Sequence, residues 1–209
     1  MAMQNLTVKA SNSTVGNYLK ASKYFNPGDL ILLESPALVG PNHLPIPVCL
    51  ECLIITNDKC TGCPAAICQN CTNQELKNHT KSECRILSKV SEILYPAILP
   101  LRLTLEFLTQ TQTWTKLQSL QDHVADNIEK PEWKNMHNEV VPFVTKCLEE
   151  YGDTLTKESI LKCIGIICTN SIGVDSGGKK GRVLYEVAAL ASHNCQMNTV
   201  HQVNPSDFW

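Results

Sequence analysis

The spacing of hydrophobic residues differs from one part of the chain to another, and these differences divide the chain into regions. Between residues 6 and 40 the pattern is that of short strands, since Leu6 and Val8 alternate with polar residues. The apolar run at 30–33 predicts a further, buried strand. An Asn-Pro-Gly-Asp sequence at 26–29 predicts a turn, because proline fixes one backbone dihedral and glycine frees the next. The N-terminal region is therefore expected to be rich in β-structure.

After residue 84 the pattern becomes helical. Two stretches place apolar residues on one helix face: Val140, Val144, Cys147, Leu148 and Tyr151 in the first, and Ile160, Cys163, Ile164 and Ile167 in the second. Thr156 precedes the second stretch and is the predicted helix N-cap. Residues 87–108 and 114–128 are also rich in helix formers, with breaks expected near Pro96 and Pro100.

Beyond Ile172 the chain becomes irregular again. The segment 176–181 is rich in glycine and lysine but lacks the pattern of a phosphate-binding loop, so we interpret it as a surface loop. The order of regions is strands, a cysteine-rich segment, helices and this second irregular segment. Strands on both sides of the middle regions indicate that one domain hosts an insertion.

Composition describes a globular protein. The chain has 209 residues, of which 43% are hydrophobic and 18% charged, enough for one good-sized domain or two small ones. A net charge of −2 gives no bulk attraction to nucleic acid. No stretch of 18 apolar residues exists, so the sequence predicts no membrane-spanning helix.

A modest basic run lies beside the cysteines. It consists of Lys77, Lys81, Arg85 and Lys89, and it is interspersed with Glu75, Glu83 and Glu92. Mixed charges at such spacing are typical of a solvated face, and this is the interpretation that we adopt. A DNA-binding zinc finger is disfavoured, because the near-neutral chain has no basic recognition helix after a cysteine pair.

The strongest chemical signal is the cysteine cluster itself. Seven of the eleven cysteines fall between Cys49 and Cys84, mostly in C-x2-C pairs, together with one histidine. The eight candidate ligands are Cys49, Cys52, Cys60, Cys63, Cys68, Cys71, His79 and Cys84. A C-x2-C pair can bind one metal ion from a single tight turn, and eight such ligands fill two tetrahedral zinc sites.

Disulfides are the alternative use of paired cysteines, and they form in oxidising compartments. Residues 1–16 are polar and lack the apolar segment of a secretory signal peptide. The sequence therefore favours zinc ligands over a disulfide framework. Cys147, Cys163 and Cys168 lie within the helical apolar stripes and are expected to be small buried hydrophobes.

In this order the regions resemble the SET–MYND family of lysine methyltransferases, and most closely its arthropod-specific branch. Four stretches carry the resemblance over essentially all 209 residues. Residues 16–36, with Gly-Asn-Tyr-Leu-Lys-Ala and Pro-Gly-Asp-Leu-Ile-Leu, resemble the opening of the SET domain, and the cysteine cluster resembles the MYND zinc module. Residues 169–185 are similar to the entry into the second SET half, and 192–199 resemble its Asn-His-Ser-Cys-x-Pro-Asn signature.

The resemblance implies an α+β fold in which a split SET β-domain carries a zinc module and a helical insertion. The implied divisions are 1–48 for the N-terminal part of the SET domain, 49–84 for the MYND-type zinc finger, 85–168 for the helical insertion and 169–209 for the start of the core SET domain. The C-terminal SET strands and the post-SET region of the family are expected to be missing from this sequence.

The resemblance also implies how the ligands are used. Because ligand pairs interleave in MYND modules, one of two Zn²⁺ ions would be held by Cys49, Cys52, Cys68 and Cys71, and the other by Cys60, Cys63, His79 and Cys84. The residues expected to bind S-adenosylmethionine are Gly16, Asn17, Tyr18, Asn170, Ser192 and His193. Ser192 departs from the family, which has asparagine at this place.

Two functions are compatible with this resemblance. The sequence reaches Trp209 before the family's catalytic tyrosine segment, so no catalytic residue is assigned. One interpretation is part of a protein-lysine N-methyltransferase that acts on a histone or another protein and regulates transcription. The alternative is a non-catalytic, zinc-dependent interaction module that binds proline-containing peptides. Either would be a monomer in the nucleus and cytoplasm, with a protein or peptide partner and no direct contact to nucleic acid or membrane.

Overall fold

A computed structural model describes residues 6–10, 16–42 and 46–202, and its mixture of helices and small sheets confirms the α+β class. The strands are β1 (Leu6–Ala10), β2 (Asn17–Ala21), β3 (Leu38–Pro41), β4 (Ile172–Ser176) and β5 (Lys179–Leu184). The helices are α1 (Gln69–Thr72), α2 (Lys81–Leu87), α3 (Ile98–Leu108), α4 (Gln112–Leu117), α5 (Val124–Asn127), α6 (Pro131–Cys147) and α7 (Lys157–Asn170). Short 3₁₀ turns lie at Tyr95–Ala97, Glu149–Thr154 and Ala188–Leu190.

One antiparallel sheet joins segments from both sides of the cysteine-rich and helical regions. Its strand order is β3-β5-β4, so β5 lies in the centre. Leu38 of β3 lies opposite Leu184, and Ile172 of β4 lies opposite Val183. The residues between β3 and β4 are therefore an insertion into this sheet, which we call the host sheet.

The segment expected to be a surface loop at 176–181 is instead a tight β-hairpin, and that expectation was wrong. Its two-residue turn consists of Gly177 and Gly178, with φ angles of 60° and 76°. Two consecutive residues with positive φ suit the right-handed twist of hairpin strands, and glycine adopts them without steric cost. Every residue of β4 pairs with a residue of β5, and Gly181 lies inside β5.

The N-terminal region follows the expectations only in part. β1 and β2 form an antiparallel pair, and the turn at 26–29 is confirmed by a 3.0 Å hydrogen bond from Asp29 N–H to Asn26 O. The predicted buried strand at 30–33 was wrong, since Leu30 is 71% exposed and the run is irregular. An apolar run forms a strand only beside another strand, and none of the described strands pairs with it.

Both predicted helical stripes are confirmed. Val140 and Val144 of α6 are buried, and so is Ile164 of α7. Thr156 caps α7 with a capping box, in which its side chain accepts the Ser159 N–H. The break expected near Pro96 is a 3₁₀ turn, but the one near Pro100 is absent. Pro100 lies in the first turn of α3, where backbone N–H groups have no acceptor within the helix.

The hydrophobic core is continuous between the cysteine-rich segment and the helices. Cys49 and Leu50 pack in one cluster with Ile98, Val144 and Ile160 from three helices. Cys147 and Cys163 are fully buried among these helices as expected, and Cys168 is half-buried. Among the described residues, no helix combines the length and apolar character needed to cross a membrane.

Gly40 of β3 packs closely on Leu99 of α3, so we predict that Gly40→Ala destabilises the fold. A Cβ at this position would lie 2.7 Å from Leu99 Cβ and 3.2 Å from Leu99 Cα. We expect a loss of about 1–3 kcal/mol in the free energy of unfolding, the usual cost of overpacking. Urea unfolding of zinc-loaded protein measures it. Gly173→Ala in β4 is the matched control, because nothing lies within 4 Å of its Cβ; equal losses would contradict the prediction.

Candidate metal centre

Eight side chains form two clusters of four, and these have the composition that the resemblance implies. The all-cysteine group consists of Cys49, Cys52, Cys68 and Cys71, and the cysteine–histidine group consists of Cys60, Cys63, His79 and Cys84. Within each group the ligand atoms all lie within 4.8 Å of one another. The all-cysteine group is buried, whereas the three cysteines of the cysteine–histidine group are only half-buried.

Backbone turns position the all-cysteine group. Cys49 N–H donates to Ile54 O at 2.9 Å, and Leu53 N–H donates to Cys49 O at 2.8 Å, which closes the first knuckle. The second pair spans the start of α1, where Cys71 N–H donates to Cys68 O at 3.0 Å. Both C-x2-C spacings therefore fold back on themselves and direct two sulfurs to one point.

The cysteine–histidine group is assembled from a knuckle and a helix. Cys60 N–H donates to Ala65 O at 2.8 Å and closes the knuckle. Gly62 is required there, because a Cβ would lie 2.8 Å from the sulfur of Cys84. Thr80 caps the N-terminus of α2 with its side chain, and α2 carries Cys84 into the group.

The distances fit tetrahedral zinc. Cys52 Sγ lies 3.5 Å from Cys68 Sγ, and Cys60 Sγ lies 3.6 Å from Cys84 Sγ. Zinc–sulfur bonds of about 2.3 Å give tetrahedral edges of about 3.8 Å, close to these values. A disulfide needs about 2.05 Å between sulfurs. The donor set and spacing therefore fit two zinc ions, which would supply cross-linking and folding energy, as closed structural sites do.

The close approach of the sulfurs moves the thiol pKa values apart within each group. In the all-cysteine group, the hydrogen bond between Cys52 and Cys49 lowers the pKa of Cys49 to about 5 and raises that of Cys52. In the cysteine–histidine group, burial raises the pKa of Cys63 to about 12. The pKa of Cys60 is lowered to about 7, since hydrogen bonds outweigh its burial. Neighbouring thiolates repel one another at these distances, and a divalent cation removes that repulsion.

The all-cysteine group also touches the host sheet. Ile54 forms a β-bridge with Lys179, and Lys180 N–H donates to Leu53 O at 2.9 Å. Burial lowers the pKa of Lys179, while its electrostatic interaction with Cys52 and Cys71 acts in the opposite direction. A positive charge at this position would balance part of the negative charge that four thiolates and one Zn²⁺ would carry together.

His79 belongs to a buried chain of polar contacts. Its Nε2 lies 3.5 Å from Cys63 Sγ, and its Nδ1 lies 2.9 Å from Glu83 Oε1. The nitrogen facing the group is thus available as a ligand, while the other donates to a carboxylate, the usual second contact of a zinc-binding histidine. Burial would raise the pKa of Glu83, but the charge of Arg102 holds it below its ordinary value.

Arg102 anchors this chain of contacts in the body of the protein. Its Nη2 donates to Glu83 Oε1 at 2.8 Å and to Leu50 O at 3.0 Å, and its Nη1 donates to Val39 O of β3. Sequence reasoning missed this arginine and placed Glu83 on a solvated face. That placement was wrong, because Glu83 is only 4% exposed.

Two of the residues expected to bind S-adenosylmethionine, Gly16 and Asn170, approach one common residue. Gly16 has a φ of 69°, and a side chain there would collide with the Gln121 side chain. Asn170 Nδ2 donates to Gln121 O at 2.8 Å, so both residues approach Gln121, which sequence reasoning missed.

Of the other four expected cofactor residues, two follow Gly16 directly in the chain and two lie near residue 192. Asn17 and Tyr18 belong to β2, opposite Ala10 and Lys9. Ser192 and His193 are exposed, and among the described residues no side-chain hydrogen bond joins them to the other four. His193 Nε2 instead lies 3.4 Å from Cys195 Sγ.

No protein-family model matches the chain, and no curated protein matches it at a significant level.

We predict that the purified protein contains two zinc ions per chain. Metal analysis by mass spectrometry measures the count. Cys52→Ser and Cys84→Ser should each lower it to about one, because each removes a ligand from a different group. Cys195→Ser is the control and should leave two ions, since this exposed cysteine belongs to neither group. A count of zero in the unsubstituted protein would contradict both sites.

We further predict that Arg102→Met strongly destabilises the zinc-loaded protein. The substitution leaves the buried Glu83 carboxylate without its cation, which costs about 3–5 kcal/mol in comparable buried pairs. Chemical unfolding measures the loss. Arg85→Met is the control, because Arg85 forms its ion pair with Glu150 at the surface and its removal should cost far less. Similar losses of unfolding free energy in both variants would show that the buried pair stabilises the protein no more than the surface pair does.

Proposed function

We propose that this chain is a SET–MYND protein of the lysine methyltransferase type, with residues 49–84 as its zinc module. The main support is the grouping of ligands into two interleaved sets, one of four cysteines and one of three cysteines and a histidine, as that module requires. Further support comes from the host sheet, in which β3 and β5 pair across the insertion. A split domain that carries a metal-bound insertion has this connectivity.

In this proposal the substrate is a lysine side chain of a histone or another protein, and the product regulates transcription. S-adenosylmethionine would supply the methyl group when bound. Gly16, Asn17 and Tyr18 would line one edge of its site, with Asn170 and the 192–193 segment on the other. The approach of both Gly16 and Asn170 to Gln121 supports two edges that lie close together. Location in the nucleus and cytoplasm, and a monomeric state, belong to the same proposal.

A second candidate is a non-catalytic interaction module. It is favoured by two observations. Ser192 and His193 are exposed, and among the described residues neither side chain is hydrogen-bonded to Gly16 or Asn170. Zinc holds a small segment rigid, and a rigid surface binds an extended, proline-containing peptide with little loss of entropy. Such a function needs the two metal groups but no cofactor.

Binding of labelled S-adenosylmethionine to the zinc-loaded chain tests the first candidate. We expect saturable binding in equilibrium dialysis, displaced by S-adenosylhomocysteine. His193→Ala should weaken it by about tenfold, roughly the loss of one charge-assisted hydrogen bond. His201→Ala is the matched control, because His201 is also exposed and lies outside the expected set.

The absence of saturable binding would reject the cofactor site and leave the second candidate. Labelled proline-containing peptides then test that candidate by fluorescence anisotropy. Binding should disappear when chelation removes zinc and persist in His193→Ala. Failure of both titrations with protein that holds two zinc ions would reject both functions.

A further inference from the structure

The carboxylate of Glu51 joins the two metal groups. Glu51 lies between the first two cysteines of the all-cysteine group and is only 4% exposed. It accepts three backbone hydrogen bonds of 2.8 Å: from Lys77 N–H to Oε1, and from Asn78 and His79 N–H to Oε2. Since His79 is a member of the cysteine–histidine group, one side chain spans from one group to the other.

The contact is reciprocal and specific to a carboxylate. Asn78 Nδ2 donates back to the backbone oxygen of Glu51 at 3.0 Å, so the loop is held to the knuckle from both sides. Three successive N–H groups converge on the carboxylate as they do on a bound anion. Hydrogen bonds to an ionised acceptor are about twice as strong as neutral ones, which makes this side chain an effective restraint on the backbone of His79.

We infer that Glu51 is a positioning residue that couples metal binding at the all-cysteine group to metal binding at the cysteine–histidine group. A metal ion in the all-cysteine group fixes the knuckle that carries Glu51. Glu51 then holds the backbone of His79, and with it the imidazole, where Nε2 faces Cys63. Coupling between sites is reciprocal, so a metal ion in the cysteine–histidine group favours the all-cysteine group by the same factor. The inference concerns assembly of the zinc module and holds for either proposed function.

Chain connectivity is the competing source of coupling. The ligands interleave along the sequence, since Cys60 and Cys63 lie between Cys52 and Cys68. Metal binding at one group therefore lowers the loop-closure entropy cost of assembling the other group, even without Glu51. Replacing the carboxylate leaves this connectivity intact, so the two sources can be separated.

Titration of the metal-free, reduced full chain with Co²⁺ provides the test. Thiolate and imidazole ligands differ in field strength, so the Co²⁺ complexes of the two groups absorb at different visible wavelengths. In Glu51→Gln we expect the all-cysteine group to fill first at an unchanged free Co²⁺ concentration, because the other group is then still empty. The cysteine–histidine group should fill second, at about tenfold higher free Co²⁺, a typical coupling between two sites. Glu75→Gln is the matched control, because it makes the same charge change at an exposed residue of the module.

A double-mutant cycle isolates the coupling itself. Cys52→Ser impairs the all-cysteine group. Where Glu51 is present, this substitution should weaken Co²⁺ binding at the cysteine–histidine group. In the Glu51→Gln background, the same substitution should weaken that binding by much less. Equal weakening in both backgrounds would assign the coupling to connectivity and overturn the inference. Loss of both Co²⁺ signals in Glu51→Gln would also overturn it, since Glu51 would then support the whole module.

Discussion

The buried guanidinium of Arg102 is the interaction on which the arrangement of the fold depends, because three separate segments converge on it. It donates to the Glu83 carboxylate beside the cysteine–histidine group, to Leu50 O in the first knuckle and to Val39 O in the host sheet. A planar fork of five N–H donors can satisfy all three acceptors at once, which lysine cannot do. The carboxylate balances the buried charge, so the metal-binding segment is held against sheet and helices by one satisfied cation.

The range of each interaction along the chain explains what could be predicted from the sequence. Cysteine pairs and the stripe through Val140 and Val144 are local patterns, and both predictions agree with the structure. Glu83 was misplaced because its partner is 19 residues away, and the partners of Glu51 are 26 to 28 residues away. In the sequence alone, an acidic residue among basic ones indicates a solvated face, because the distant partner that buries it cannot be identified. The strand prediction for residues 30–33 was wrong for the same reason, since strand pairing depends on residues distant in the sequence.

The two metal groups differ in their relation to the core. Cys49 and Cys71 pack among the hydrophobic residues that also contact α3 and α6, so the all-cysteine group is part of the core. Loss of its metal ion would leave unpaired thiolates, or newly protonated thiols, at the centre of the packing. Cys60, by contrast, lies at the margin and is half-buried. The more exposed group depends on the polar contacts of His79 for its geometry, whereas the buried group is also held by packing.

The same contrast bears on the proposed functions. Recognition of a peptide needs a rigid surface. Bound metal ions would supply that rigidity to residues 49–84, together with the contacts of Glu51 and the Glu83–Arg102 pair. Methyl transfer needs alignment of several segments within a fraction of an ångström. Gly16 and Asn170 share a neighbour in Gln121, whereas His193 is exposed and its ring nitrogen faces Cys195. The side-chain contacts of the described residues therefore account for a rigid metal-binding segment and for the common neighbour of Gly16 and Asn170.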